Sequence, residues 1–110
     1  MDPLSCEGAF HSGIDISAPF GTRVSAGADG LVFSSGPDAG YGNAVLIDHG
    51  YGITTKYGHL SGINVVVGQE VKRGQMIGTV GTTGKTTGPH LHYEVHVHDT
   101  PVNPAKYLRG

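Results

Sequence analysis

The stretch GPHLHYEVHVH, residues 88–98, sets histidines at positions 90, 92, 96 and 98, with Leu91, Tyr93, Val95 and Val97 between them. In a strand, side chains two residues apart project to the same face, about 6.6 Å apart along the chain. His90 and His92 therefore form a pair able to sit over one small ion or one water, while the apolar residues turn toward a core. His96 lies about 13 Å along such a strand from His92, too far to share an ion with it. His96 and His98 read as solvated residues near the strand end. Glu94, on the same face as His92, reads either as an acceptor for the second nitrogen of a ligating ring or as an ordinary exposed carboxylate.

One pair does not hold a metal. FHSGIDIS (10–17) adds His11 and Asp15, four apart, and a bend at Ser12-Gly13 would bring imidazole and carboxylate together. Two histidines and a carboxylate make one class of open zinc site. His59, in KYGHLSG (56–62), reads either as a turn histidine or as a general base or transition-state donor aimed from a neighbouring strand. His49, beside a turn glycine, reads as structural, and Cys6 as a bystander thiol with no partner for an intrachain disulfide. GTTGKTTGPH (81–90) lacks the glycine-lysine order of a phosphate-binding loop and precedes no helical pattern. It reads as a glycine-rich hairpin that delivers His90.

The elements that position these residues read as strands. GLVFSS (30–35), NAVLID (43–48), GITTKYGHL (52–60), INVVV (63–67), QMIGTV (75–80) and HLHYEVHV (90–97) are short, rich in β-branched or aromatic residues, and mostly bounded by glycine. The segments SSGPDAGYGN (34–43) and GTTGKTTGP (81–89) read as short loops flanking an open groove. Only NPAKYL (103–108) suggests a helical turn, with Asn103 as cap and Pro104 at the first helical position. GTRVSAGADGLV (21–32) and GQEVKRGQMIGTV (68–80) share a G-x-x-V-x-x-G pattern followed by a strand. The expected fold is all-β: a compact antiparallel domain of two packed sheets with duplicated hairpin units and at most that one C-terminal turn.

At 110 residues the chain is expected to be a single domain, 1–110, cut from a longer exported protein. Apolar residues make up 37% and charged residues 15%, with 19 glycines and seven histidines against seven lysines plus arginines. That histidine count hints at metal or proton chemistry. A net charge near −2 argues against a nucleic-acid surface. No apolar run reaches the roughly 20 residues of a membrane helix, and residues 1–10 carry no signal-peptide pattern.

HSGIDISAPFGTRVSAGADGLV, YGNAVLIDHGYGITTKYGHLS, VGQEVKRGQMIGTVGTTGKTTGPHLHYEV and VNPAKYL together resemble the lysostaphin-type, or LytM-type, zinc endopeptidases that cut peptidoglycan peptides. The likeness runs from about residue 10 to 108 and rests on the ordered set H-x-x-x-D, Y-G-H-L-S and G-P-H-L-H. It implies one Zn²⁺ held by His11, Asp15 and His92, with His59 and His90 as the catalytic pair. Three protein ligands would leave a fourth zinc position for a water whose pKa falls toward about 7. The two histidines would then handle its proton and steady the oxyanion. The resemblance further implies a peptidoglycan peptide as substrate, action outside the cytoplasm (periplasm, envelope or secreted) and a monomer. Some members carry a tyrosine shortly before the first ligand; LSCEGAF has none. Two other readings stand beside this one. One is a degenerate, non-enzymatic relative that binds and activates another cell-wall hydrolase. The other is a carrier domain, suggested by VGQEVKRGQMIGTVG, with which neither Asp15 nor bound zinc would fit.

Overall fold

The computed structural model describes residues 14–38, 40–82, 88–98 and 100–102. Nine strands account for most of them: β1 (Ile14–Ser17), β2 (Arg23–Ser25), β3 (Gly30–Asp38), β4 (Gly42–Gly50), β5 (Ile53–Ile63), β6 (Glu70–Val71), β7 (Met76–Val80), β8 (His90–Val97) and β9 (Thr100–Val102). No helix occurs among the described residues, and the turn expected at 103–108 lies outside them. All pairings are antiparallel, in the order β1-β8-β5-β4-β3-β6, with β9 on β8 and β2 on β7.

What the sequence reads as two packed sheets is one hydrogen-bonded network forked at β5. Along one edge of β5, residues 53–58 pair with β8, and beyond the fork Leu60, Gly62 and Ile63 pair with β7. The other edge runs along β4. Tyr57, Leu60, Ile47, Val45 and Val95 pack with Val32, Ile77 and Val80 into one buried cluster. Each such side chain contributes roughly 1.5–3 kcal/mol of burial.

The sequence repeat has a structural counterpart. The short strand of each copy pairs with the long strand of the other: β2 with β7, and β6 with β3. Val24 and Val71, the valines of the two G-x-x-V-x-x-G patterns, both enter the core. Main-chain bonds from Gly74 N to Ala26 O (2.9 Å) and from Gly68 N to Val32 O (2.8 Å) stitch the copies together.

Two sequence assignments change. Residues 34–43 are mostly strand, because β3 and β4 stay paired out to Asp38 and Gly42 and leave only a tight turn. Pro37 is tolerated there because β6 covers the outer edge of β3 only at Gly30 and Leu31. INVVV is not a strand beyond Ile63. Val65 drops into the core while Val66 and Val67 face solvent. The Gln69 side chain accepts from Val66 N at 3.2 Å and closes a turn instead.

Candidate metal and catalytic site

β8 lies between β1 and β5, and the register assembles the site. Across β1–β8, Asp15 is opposite His92 and Ser17 is opposite His90; across β5–β8, Gly58 is opposite His92. The period of two holds as expected. Tyr93 and Val95 enter the core from one face, and the other face carries His90, His92 and Glu94. Yet that second face is not open: His92 and Glu94 are themselves buried.

His59 reaches the site through backbone geometry. It occupies the fork, where β5 leaves β8 and joins β7, with φ of +62°. A non-glycine residue in the left-handed region costs on the order of 1 kcal/mol or more, and such residues cluster at functional sites. The His59 N–H is held by the Tyr41 carbonyl at 2.7 Å. Its ring stands edge-on to His90 (centroids 4.7 Å, 61°) and to His92 (5.9 Å, 73°).

These groups converge on Asp15. The ligating atoms of Asp15, His59 and His90 all lie within 4.8 Å of one another. The Oδ1 atom of Asp15 is 2.8 Å from His92 Nδ1 and 3.4 Å from His90 Nε2. The far nitrogens are committed: His90 Nδ1–H donates to the Gly88 carbonyl (2.8 Å) and His92 Nε2–H to Glu94 Oε2 (2.8 Å). This is the arrangement of metal-ligating histidines, whose remote N–H is held by a carbonyl or carboxylate. A carboxylate and imidazole nitrogens meeting at one point suit a divalent ion of zinc's class. His11 lies outside the described residues.

The electrostatics follow from burial and partners. Burial alone would lower the pKa of His92, but hydrogen bonds to Glu94 and Asp15, together with their charges, raise it. Burial would likewise raise that of Glu94. Bonds from His92, His96 and Tyr41 and the charge of Lys56 instead pull it down to about 2. Burial, then the hydrogen bond to Glu94 and its charge, push the Tyr41 hydroxyl up to about 12.

Of the two sequence readings of Glu94, the acceptor for the second nitrogen of His92 holds (2.8 Å) and the exposed carboxylate does not, since it is 3% exposed. One further reading is corrected. His96 is not merely solvated, because its Nε2–H donates to Glu94 Oε1 at 2.7 Å. Tyr41 escaped notice altogether. Its ring lies tilted against His92 (centroids 5.1 Å, 40°), and the only sequence signal, an aromatic between two glycines, recurs at 50–52. His49 is structural, as expected: its Nδ1–H donates to the Asp29 carbonyl (2.8 Å) and its Nε2 meets Thr55 Oγ1 (2.7 Å). It lines a cavity of about 470 Å³ with Asp29, Asp48 and Glu70 that none of the clustered histidines or Asp15 touches.

The antiparallel fold thus gathers a carboxylate and imidazoles at its forked strand, a donor set for one divalent ion. Residues 9–104 match the profile of Peptidase family M23, and the chain belongs to that family. Over 104 residues it is 49% identical to the DD-carboxypeptidase/endopeptidase Mpg of Neisseria meningitidis serogroup B, covering 94% of this chain and 24% of that protein. Over 106 residues it is 46% identical to the peptidoglycan DD-endopeptidase ShyA of Vibrio cholerae, covering 96% and 25%. Its fold matches the catalytic domain of the antimicrobial peptidase lysostaphin from Staphylococcus simulans with a TM-score of 0.85 at 36% identity, covering 98% of this chain and 86% of that one. The chain thus spans about a quarter of the length of the first two relatives.

Proposed function

We propose that this domain is a zinc-dependent endopeptidase that hydrolyses peptide bonds in the cross-links or bridges of bacterial peptidoglycan. The observation that carries the reading is the convergence of His59, His90 and His92 on the single carboxylate of Asp15. Membership of a peptidase family and the name of one relative, a peptidoglycan DD-endopeptidase, support the substrate class. Action on that polymer implies work outside the cytoplasm, and no helix among the described residues is long and apolar enough to cross a membrane. A monomer suffices, since every group named here belongs to one chain.

In this reading Asp15, His92 and His11 hold the ion. Zinc in such a site supplies a Lewis acid for a carbonyl oxygen and lowers the pKa of water. The remaining work falls to His90 and His59. The Gly88 carbonyl takes the Nδ1 proton of His90, so its Nε2, 3.4 Å from Asp15 Oδ1, is the nitrogen placed to exchange a proton there. His59, buried and edge-on to His90, is the second imidazole able to hold a proton or donate to developing negative charge. His59 is buried and His90 half-buried, which limits how far bulk water screens that charge. With two acid–base groups beside the ligands, a purely binding role for the domain is disfavoured.

One observation favours a different division of labour: Asp15, His59 and His90 form the tight three-residue group by themselves. Zinc content separates the two. If His92 is the ligand, Asp15→Ala and His92→Ala lose zinc, whereas His59→Ala and His90→Ala keep it and lose most turnover. If the three-residue group binds the ion, His59→Ala and His90→Ala lose zinc as well. Digestion of purified cell walls, with new peptide termini identified by mass spectrometry, tests the activity itself. A zinc-loaded protein that releases no new termini from walls of several chemotypes would end the proposal.

A further inference from the structure

The reading above leaves Glu94 without a role. This carboxylate is 3% exposed and lies two residues beyond His92 on β8. Both oxygens are taken: Oε2 by His92 Nε2–H at 2.8 Å and Oε1 by His96 Nε2–H at 2.7 Å. The Tyr41 hydroxyl donates to it as well. Tyr41 is in turn braced by Lys56, whose ammonium sits 3.9 Å from the ring centroid and 3.1 Å from Asp38 Oδ2. Gly58 completes the enclosure, since an added Cβ would stand 3.4 Å from Tyr41 Cβ and 3.5 Å from His92 Cβ.

This enclosure has a chemical consequence. A neutral imidazole carries one proton, and the nitrogen without it is the one that can bind a metal. Both nitrogens of His92 face a carboxylate at 2.8 Å, Glu94 at Nε2 and Asp15 at Nδ1. An ion shared by Asp15 and His92 would take the place of the Nδ1 proton, and the acceptor-only Glu94 carboxylate would keep the other proton on Nε2. The Tyr41 ring packs tilted against the His92 ring, with centroids 5.1 Å apart. We propose that Glu94 is a positioning residue that selects the Nδ1-ligating tautomer of His92, and that Tyr41, His96 and Lys56 hold Glu94 in place for it. The inference rests on the reading that His92 is a ligand. It joins residues of the β3–β4 turn, β5 and β8, through one buried carboxylate.

The test uses the whole chain and zinc itself. In zinc-loaded protein with ¹⁵N-labelled histidine, long-range ¹H–¹⁵N correlation should find the His92 proton on Nε2; a proton on Nδ1 overturns the inference, whatever any variant does. Zinc dissociation constants from chelator competition give the second readout. Glu94→Leu should bind about 10- to 100-fold more weakly, the usual cost of removing the group behind a metal ligand. Glu94→Gln should stay within a few-fold of the parent, because its amide oxygen still accepts from His92 and its NH₂ can face His96. A structural role alone would move the melting temperature of the metal-free protein without this split between Gln and Leu. If Glu94→Leu binds zinc like the parent while His92→Ala does not, the positioning role fails and the ligand assignment stands. If His92→Ala binds like the parent, the ligand assignment itself fails.

Discussion

β4 is bracketed by two copies of one tripeptide, Gly40-Tyr41-Gly42 and Gly50-Tyr51-Gly52, and the two tyrosines have opposite fates. Tyr41 packs on His92 and under Lys56; Tyr51 is 96% exposed. Composition cannot separate them, and glycines with φ between +65° and +85° flank both. What differs is the neighbouring strand. At the first turn the Tyr41 carbonyl accepts from His59 N, tying the turn to the point where β5 forks and laying its ring over β8. At the second turn the Gly52 carbonyl accepts from His98 N at 2.7 Å, and the His98 ring covers the glycine, so the tyrosine is left pointing outward. A turn aromatic thus acquires a function from the strand it overhangs.

The largest expected effect in this comparison is at Tyr41. Tyr41→Ala removes the ring against His92, the support for Lys56 and a donor to Glu94 together. Zinc affinity should fall about 10-fold or more, and chemical denaturation should report a loss of about 1–3 kcal/mol. A Tyr41→Ala protein indistinguishable from Tyr51→Ala in both measurements would erase the distinction between the turns. Gly52→Ala comes next and reads stability alone. Its φ of +77° is strained for any side chain, and the new methyl would meet the His98 ring. The expected cost is about 1–3 kcal/mol with zinc affinity unchanged; weakened zinc binding would mean that the two ends of β4 are coupled.

Tyr41→Phe sharpens the first result. The ring stays on His92 and beneath Lys56, and only the bond to Glu94 is lost, worth about 0.5–1.5 kcal/mol. Zinc affinity should land between those of the parent and Tyr41→Ala. If it matches Tyr41→Ala, the hydroxyl rather than the ring carries the effect.

These contrasts also mark which parts of the molecule could be read from the sequence. The pairing of His90 with His92 on one face was legible because a strand's period of two is a local property, and the register places Asp15 opposite His92; which of them would bind an ion came only from the resemblance. The repeat was legible as a G-x-x-V-x-x-G pattern occurring twice along the chain. The exposed reading of Glu94 failed, and His96 was read as merely solvated, because the groups that reach Glu94 from Tyr41 and Lys56 belong to other segments of the chain. Gly36 to Asp38 read as loop by residue type, but unbroken pairing with β4 overrides that preference. In INVVV the apolar run lacked the partner a strand needs, and a side-chain bond from Gln69 settled it as a turn.

The smallest effect belongs to Tyr51, and it is the control on which the others depend. At 96% exposure its ring touches little that folding or the site requires. Its φ of +55° lies where side chains in general are disfavoured, so exchanging one non-glycine residue for another there leaves that backbone cost in place. Tyr51→Ala should therefore fall within about 0.5 kcal/mol of the parent, as exposed substitutions do, with unchanged zinc affinity and turnover on isolated peptides. Turnover on intact cell walls is the informative readout. If it dropped while peptide turnover held, the exposed ring would be contacting the polymer, and the comparison would become one between an aromatic that positions a ligand and an aromatic that meets the substrate.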